Sequence, residues 1–93
     1  MSHILKGDGN NNFWLDGEEL DPEESQKVYN HSPDGFSCGY GGSGPSQLAL
    51  AITLKLTGNQ EGYQDLKWAV VSRVPQDAPF EVEFDIDTII KRR

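Results

Sequence analysis

Five of the ten residues from Gly35 to Gly44 are glycine, and the segment runs straight into Pro45-Ser46-Gln47-Leu48-Ala49-Leu50-Ala51-Ile52. No other stretch constrains the fold so tightly. Pro45 suits the first turn of a helix, where its missing N–H would have been unpaired in any case. Gly44 or Ser43 is then expected at the cap, with the helix running to about Thr57 and stopping at Gly58. Leu48, Ile52 and Leu56 share one face, while Leu50, Ala51 and Leu54 lie on the others. A helix that is apolar nearly all round belongs in the middle of a domain. The glycine loop is thus fastened to the most buried element, which fixes its position.

The remaining elements are arranged around this helix. Residues 3–6 and 12–15 are strand candidates, with the Gly- and Asn-rich residues 7–11 as their hairpin loop and Asp16-Gly17 as a further turn. Asp21-Pro22-Glu23-Glu24 is a helix start, with Asp21 as cap and Glu24 placed to reach back in a capping box. That helix ends near Tyr29-Asn30, and residues 31–35 carry turn chemistry. A second main helix is expected over 60–74, ended by Pro75, with Tyr63, Leu66, Val70 and Val74 facing the core and Trp68 on the opposite flank. Phe80-Glu81-Val82-Glu83-Phe84 alternates as a half-buried strand does. Asp85 then caps a short helix over 86–93, whose basic end Lys91-Arg92-Arg93 complements the helix dipole. The fold class is α+β, a two- or three-stranded antiparallel sheet packed on two main helices plus two short ones. It forms a single domain over 1–93.

Charge and composition exclude several functions. Fifteen acids against eight bases leave a net charge of -7, which repels phosphate backbones and argues against direct nucleic-acid binding. Six of the nine residues from Asp16 to Glu24 are acidic. Such a run is either a solvated face that aids solubility or a DNA-like decoy for a basic groove, with Glu18, Glu19, Glu23 and Glu24 as its contacts. Trp68, on a flank with Glu61, Asp65 and Ser72, is a further candidate contact, or a cover for a sheet edge or a loop. Apolar residues make up 35% of the chain, less than is usual for a globular domain; a homo-oligomer would bury surface that one copy cannot. Cys38 is the only cysteine, so no internal disulfide forms. One Cys and two His cannot complete a zinc site without carboxylates, and neither a metal nor a cofactor is expected. No run reaches the ~18 apolar residues of a membrane helix, and the start lacks the pattern of a secretion signal. The expected location is the cytoplasm, that of the host cell if the chain is phage-encoded.

Backbone N–H groups at a helix start are unpaired and carry partial positive charge, which makes an anion site. Gly41, Gly42, Ser43 and Gly44 are the expected phosphate donors. Ser46, Gln47 and His31 add directional hydrogen bonds, and Tyr40 or Phe36 can stack a base. The alternatives are that the glycines only permit a sharp turn and close packing, or that the loop makes a protein contact. Gly39 to Gly44 satisfies G-x-G-x-x-G, but the chain lacks the repeated βαβ units of a dinucleotide fold. Gly39 to Ser46 also approaches a P-loop, with Pro45 where the lysine should stand, and so loses the counter-charge an NTPase needs. A nucleophilic site can be assembled on paper from His31, Asp34 and Ser32, Ser43 or Cys38, but nothing in their spacing requires it. No catalytic residue is assigned.

The segment from His31 to Ile52, with its HSPxGFxxGYGGSGPxQLALA pattern, resembles the signature of an uncharacterised small domain family of bacteria and phages. The likeness is close over about a quarter of the chain and loose over most of it. It departs at Cys38, where the pattern often has a tryptophan, and one ring of the expected pocket is then missing. The resemblance carries no reaction with it. Its phage association implies counter-defence by stoichiometric binding: a non-enzymatic protein that sequesters an anionic, nucleotide-like host immune signal. Two other functions stay open, an acidic, anti-CRISPR-like or DNA-mimic inhibitor of a host defence enzyme, and a small hydrolase of a signal nucleotide.

Overall fold

The computed structural model describes residues 2–90. Strand β1 (Ser2–Asp8) alternates exposed and buried positions, with Leu5 fully buried between Ile4 and Lys6. It pairs antiparallel with β2 (Phe13–Leu15) and, along its whole length, with β4 (Pro79–Asp85). Asp8 organises the β1–β2 loop, its carboxylate accepting the Asn10 and Asn12 N–H groups at 2.7 and 3.2 Å. After β2, Asp16 and Gly17 both take positive φ (52° and 85°). Two such residues in succession form the tight hairpin turn whose twist matches paired strands, and the chain folds back as β3 (Glu18–Glu19). The sheet therefore has four strands in the order β3-β2-β1-β4, all antiparallel. The α+β class is as expected; the two-residue strand β3 is the addition.

Helix α1 (Pro22–Val28) starts as its sequence dictates, with the Asp21 carboxylate accepting the Glu23 N–H at 2.9 Å and Pro22 in the first turn. The reciprocal bond expected of Glu24 does not form, so the cap is a single one. Helix α2 (Ser43–Thr57) begins with Gly42 at the cap, ahead of the expected Ser43 or Gly44, and stops at Gly58 in the left-handed conformation (φ 80°). Ten consecutive residues of α2, Gly44 to Thr53, are buried. Leu48, Leu50 and Ile52 lose all solvent contact, and burial of each such side chain contributes about 1.5–3 kcal/mol. Buried Thr53 donates its hydroxyl to the Ala49 carbonyl at 2.8 Å. The helix packs with Leu5, Phe13, Leu15 and Phe84 of the sheet and with Leu66, Val70 and Val71 in one core.

The second main helix is shorter than its periodicity predicts. Helix α3 spans Tyr63–Ala69, entered through left-handed Gly62, and gives way at Val70 to a 3-10 turn over Val71–Arg73. Pro75 is the reason. In a continuous helix the Val71 carbonyl would need an N–H from Pro75, which has none; here it accepts from Gly39 at 2.9 Å instead. The break thus fastens the glycine loop to the end of α3. Helix α4 (Ile86–Ile89) is capped by the Asp85 carboxylate on the Asp87 N–H. The basic end assigned to it, Lys91 to Arg93, lies outside the described residues. No helix among these is long and apolar enough to cross a membrane.

Candidate functional site

The glycines of the loop are each explained by a neighbour. A Cβ on Gly39 would sit 2.9 Å from the Val74 carbonyl oxygen and from the Gln76 backbone nitrogen, and its φ is +82°. One on Gly41 would strike the Trp68 ring at 2.3 Å, and one on Gly42 the Tyr40 ring at 2.4 Å. One on Gly44 would meet Ser37 Cβ at 2.6 Å, with the Tyr40 hydroxyl 3.3 Å away. The loop is therefore a tightly packed turn held between Tyr40 and Trp68, whose rings are 43% and 55% exposed.

Packing leaves the donors of this turn open. Among the described residues, the N–H groups of Gly41, Gly42, Ser43 and Gly44 have no acceptor, and α2 has no side-chain cap. The hydroxyls of Ser37, Tyr40, Ser43 and Ser46 likewise make no hydrogen bond there. Ser46 is only 4% exposed as a residue, but no unbonded side-chain oxygen among the described residues is buried, so its hydroxyl is the part that reaches solvent. A helical serine commonly returns its hydroxyl to a carbonyl one turn back, as Thr53 and Thr57 do in this helix. Side chains on a helix lean toward its N-terminus, and the Ser46 N–H already donates to the Gly42 carbonyl at 3.1 Å.

A cation stands close by. Lys67 is only 7% exposed, and its ammonium makes neither an ion pair nor a hydrogen bond among the described residues. It lies 4.3 Å from the centre of the Trp68 ring, the ring that covers Gly41. Its charge also reaches His31, whose pKa is lowered chiefly by burial and secondly by Lys67. No buried side-chain nitrogen lacks a partner among the described residues, so the Lys67 ammonium reaches solvent beside the Trp68 ring while its stem is covered, a positive charge at the surface of a chain of net charge -7. Sequence reasoning missed it. The available signal was its position four residues after Tyr63, on the flank that faces the core.

Other expected ligand contacts are committed elsewhere. Gln47 is fully buried, and its amide is saturated. Its oxygen accepts the N–H groups of His31 and Ser32 at 2.7 and 3.0 Å, and its nitrogen donates to Ser25 Oγ and the Tyr29 carbonyl at 2.8 and 3.1 Å. Gln47 is therefore a clasp that joins α1 and the following turn to α2, with no hydrogen bond left for a ligand. His31 stacks on Tyr29 at 4.2 Å, and its Nε2 lies 2.7 Å from the Tyr63 hydroxyl. Phe36 is 8% exposed and packs edge-on against Phe13, a core position rather than a stacking platform. Cys38 is buried beside the Pro75 carbonyl; burial, and then the charge of Asp77, pushes its thiol up to about 11.

The acidic candidates are placed apart from Trp68. Glu18 and Glu19 lie on β3, Glu23 and Glu24 on α1, and Glu18, Glu19 and Glu24 line a groove of about 370 Å³ against α2. Glu18 pairs with Lys55 of α2 at 2.6 Å. No group of three or more His, Cys, Asp or Glu positioned to hold a metal occurs among the described residues.

A family model described as "Family of unknown function (DUF6166)" matches residues 5–92. The chain belongs to that family. No curated protein and no solved structure matches it.

Proposed function

We propose that this protein is a non-enzymatic binding protein that sequesters an anionic, nucleotide-like small molecule at the start of α2. One observation carries the proposal: the four successive N–H groups of Gly41 to Gly44 have no protein acceptor among the described residues at the start of α2, where the unbonded Ser46 hydroxyl is open to solvent. A helix start with open N–H groups favours an anion. Lys67 supplies the neighbouring charge, and Tyr40 and Trp68 flank the turn with aromatic faces. His31 and Gln47 hold the scaffold. The bacterial and phage setting implied by the sequence resemblance makes a host immune signal nucleotide the natural ligand, held in the host cytoplasm.

The test is native mass spectrometry of the protein purified from infected or immune-active cells, then denaturation and analysis of what is released. A stoichiometric phosphate-bearing molecule, lost in Ser46→Ala, supports the proposal. An empty protein, or a ligand retained equally by Ser46→Ala, refutes it. An acidic inhibitor of a host enzyme is the second reading, favoured by the carboxylates of Glu19, Glu23 and Glu24, which have no ion-pair partner among the described residues. Charge reversal at Glu18, Glu19, Glu23 and Glu24 separates the two, because it abolishes inhibition by a decoy and leaves ligand retention intact.

A further inference from the structure

The helices cover one face of the sheet, and among the described residues no helix packs on the other. Residues paired across antiparallel strands point to the same side, so the register places Glu19, Trp14, Lys6 and Glu81 in one row across all four strands. Ile4 and Glu83 form the next pair. The middle of this face joins apolar and basic surface: Ile4 is 42% exposed and Trp14 half-buried, with exposed Lys6 beside both, and together with Pro79 and Asp8 they line a groove of about 600 Å³. That volume lies in the range of built ligand sites. Its rim is acidic. Glu19, Glu81 and Glu83 have no ion pair or hydrogen bond among the described residues. Asp16, also on the rim, is held ionised by the Ile4 N–H and by His3. Lys6 is the one base in the groove lining, and it does not cover the Trp14 ring.

We infer that this open sheet face is a docking surface for a basic segment of a partner protein, in which cationic side chains flank an apolar one. The apolar residue fills the groove between Ile4 and Pro79. Its basic neighbours meet Glu81, Glu83 and Asp16, and one of them can lie on the Trp14 ring, a favourable arrangement for arginine. A second copy of this chain does not fit, because two acidic rims would face each other across the contact. The surface is separate from the start of α2, and the inference does not rest on the ligand proposed there.

The two tryptophans provide the assay. In ¹⁵N-edited spectra each indole N–H gives its own signal, Trp14 reporting the sheet face and Trp68 the glycine loop. The probes are the synthetic peptide acetyl-Arg-Val-Arg-Val-Arg-amide and its counterpart acetyl-Glu-Val-Glu-Val-Glu-amide. The basic peptide is expected to shift the Trp14 indole and the amides of β1, β2 and β4 saturably, leaving the Trp68 indole in place. The acidic peptide shifts none of them. Glu81→Lys combined with Glu83→Lys, at two exposed positions, weakens binding of the basic peptide by about tenfold or more, as loss of complementary charge at a contact does. The inference is overturned if neither peptide shifts the Trp14 indole, if both do so equally, or if the double reversal leaves affinity unchanged in a variant whose far-ultraviolet circular dichroism matches the parent.

Discussion

Replacing Gln47 by leucine removes a hydrogen-bonding clasp while keeping the side-chain volume close to that of the parent. The amide makes four hydrogen bonds from a fully buried position. Not all four losses weigh equally. Ser25 Oγ keeps its bond to the Pro22 carbonyl, and the Tyr29 carbonyl belongs to an exposed residue and can turn to water. The N–H groups of His31 and Ser32 belong to half-buried residues and lose their acceptor outright. An unsatisfied buried donor costs about 1–3 kcal/mol, so Gln47→Leu is expected to cost about 2–4 kcal/mol. Total stability for 93 residues is roughly 5–14 kcal/mol, and the loss is a large share of it. With a urea slope of about 1 kcal/mol per molar, the unfolding midpoint falls by about 2–4 M. Equilibrium urea unfolding followed by tryptophan fluorescence measures it. A fall of less than about 0.5 M refutes the account of Gln47 as the clasp and returns its amide to the candidate ligand contacts.

Ser46→Ala gives the opposite result: stability changes by no more than about 0.5 kcal/mol, because the hydroxyl has no partner to lose and alanine is the better helix former. Thermal unfolding checks this independently of any ligand. Gly39→Ala destabilises by about 2–4 kcal/mol, since its left-handed φ costs about 1–2 kcal/mol and its Cβ meets backbone atoms, whereas Gly17→Ala, with open space around it, costs only the conformational part; paired urea curves give the difference. Burial and Lys67 lower the pKa of His31, so the unfolded chain binds the proton more readily. Stability is therefore full above the unfolded value near 6.5 and declines as pH falls from there toward the lower folded value; His31→Gln flattens urea midpoints measured across that window. Asp8 and Asp16 also have lowered values, but their stabilisation is lost only below the unfolded value near 3.8, so the two effects separate. Cys38, with its thiol at about 11 and its side chain buried, is expected to resist alkylation at pH 8 until urea unfolds the chain, as mass spectrometry of alkylated protein shows.

Local chemistry written in consecutive residues was legible from the chain alone. The Asp21 cap with Pro22 behind it, the stop at Gly58, the alternation through Phe80 to Phe84 and the uniform apolar character of α2 each depend on neighbours within one turn or one strand. They predict α1, α2 and β4 and the α+β class. The glycine loop and its attachment to α2 were legible for the same reason. Tertiary contact decided everything that depends on what a side chain meets at a distance. Gln47 and Ser46 are adjacent and both buried, yet only the structure brings His31, Ser32, Ser25 and Tyr29 around the first and leaves the second without a partner. Trp68 and Gly41 lie far apart in sequence, and Lys67 becomes part of the site only because α3 packs beside the loop. The early end of α3 is the intermediate case. Pro75 forecasts a stop, but the Gly39 N–H that satisfies the Val71 carbonyl comes from across the fold. Periodicity specifies which face of a helix is buried; which polar groups on it are satisfied is set by the geometry of packed elements.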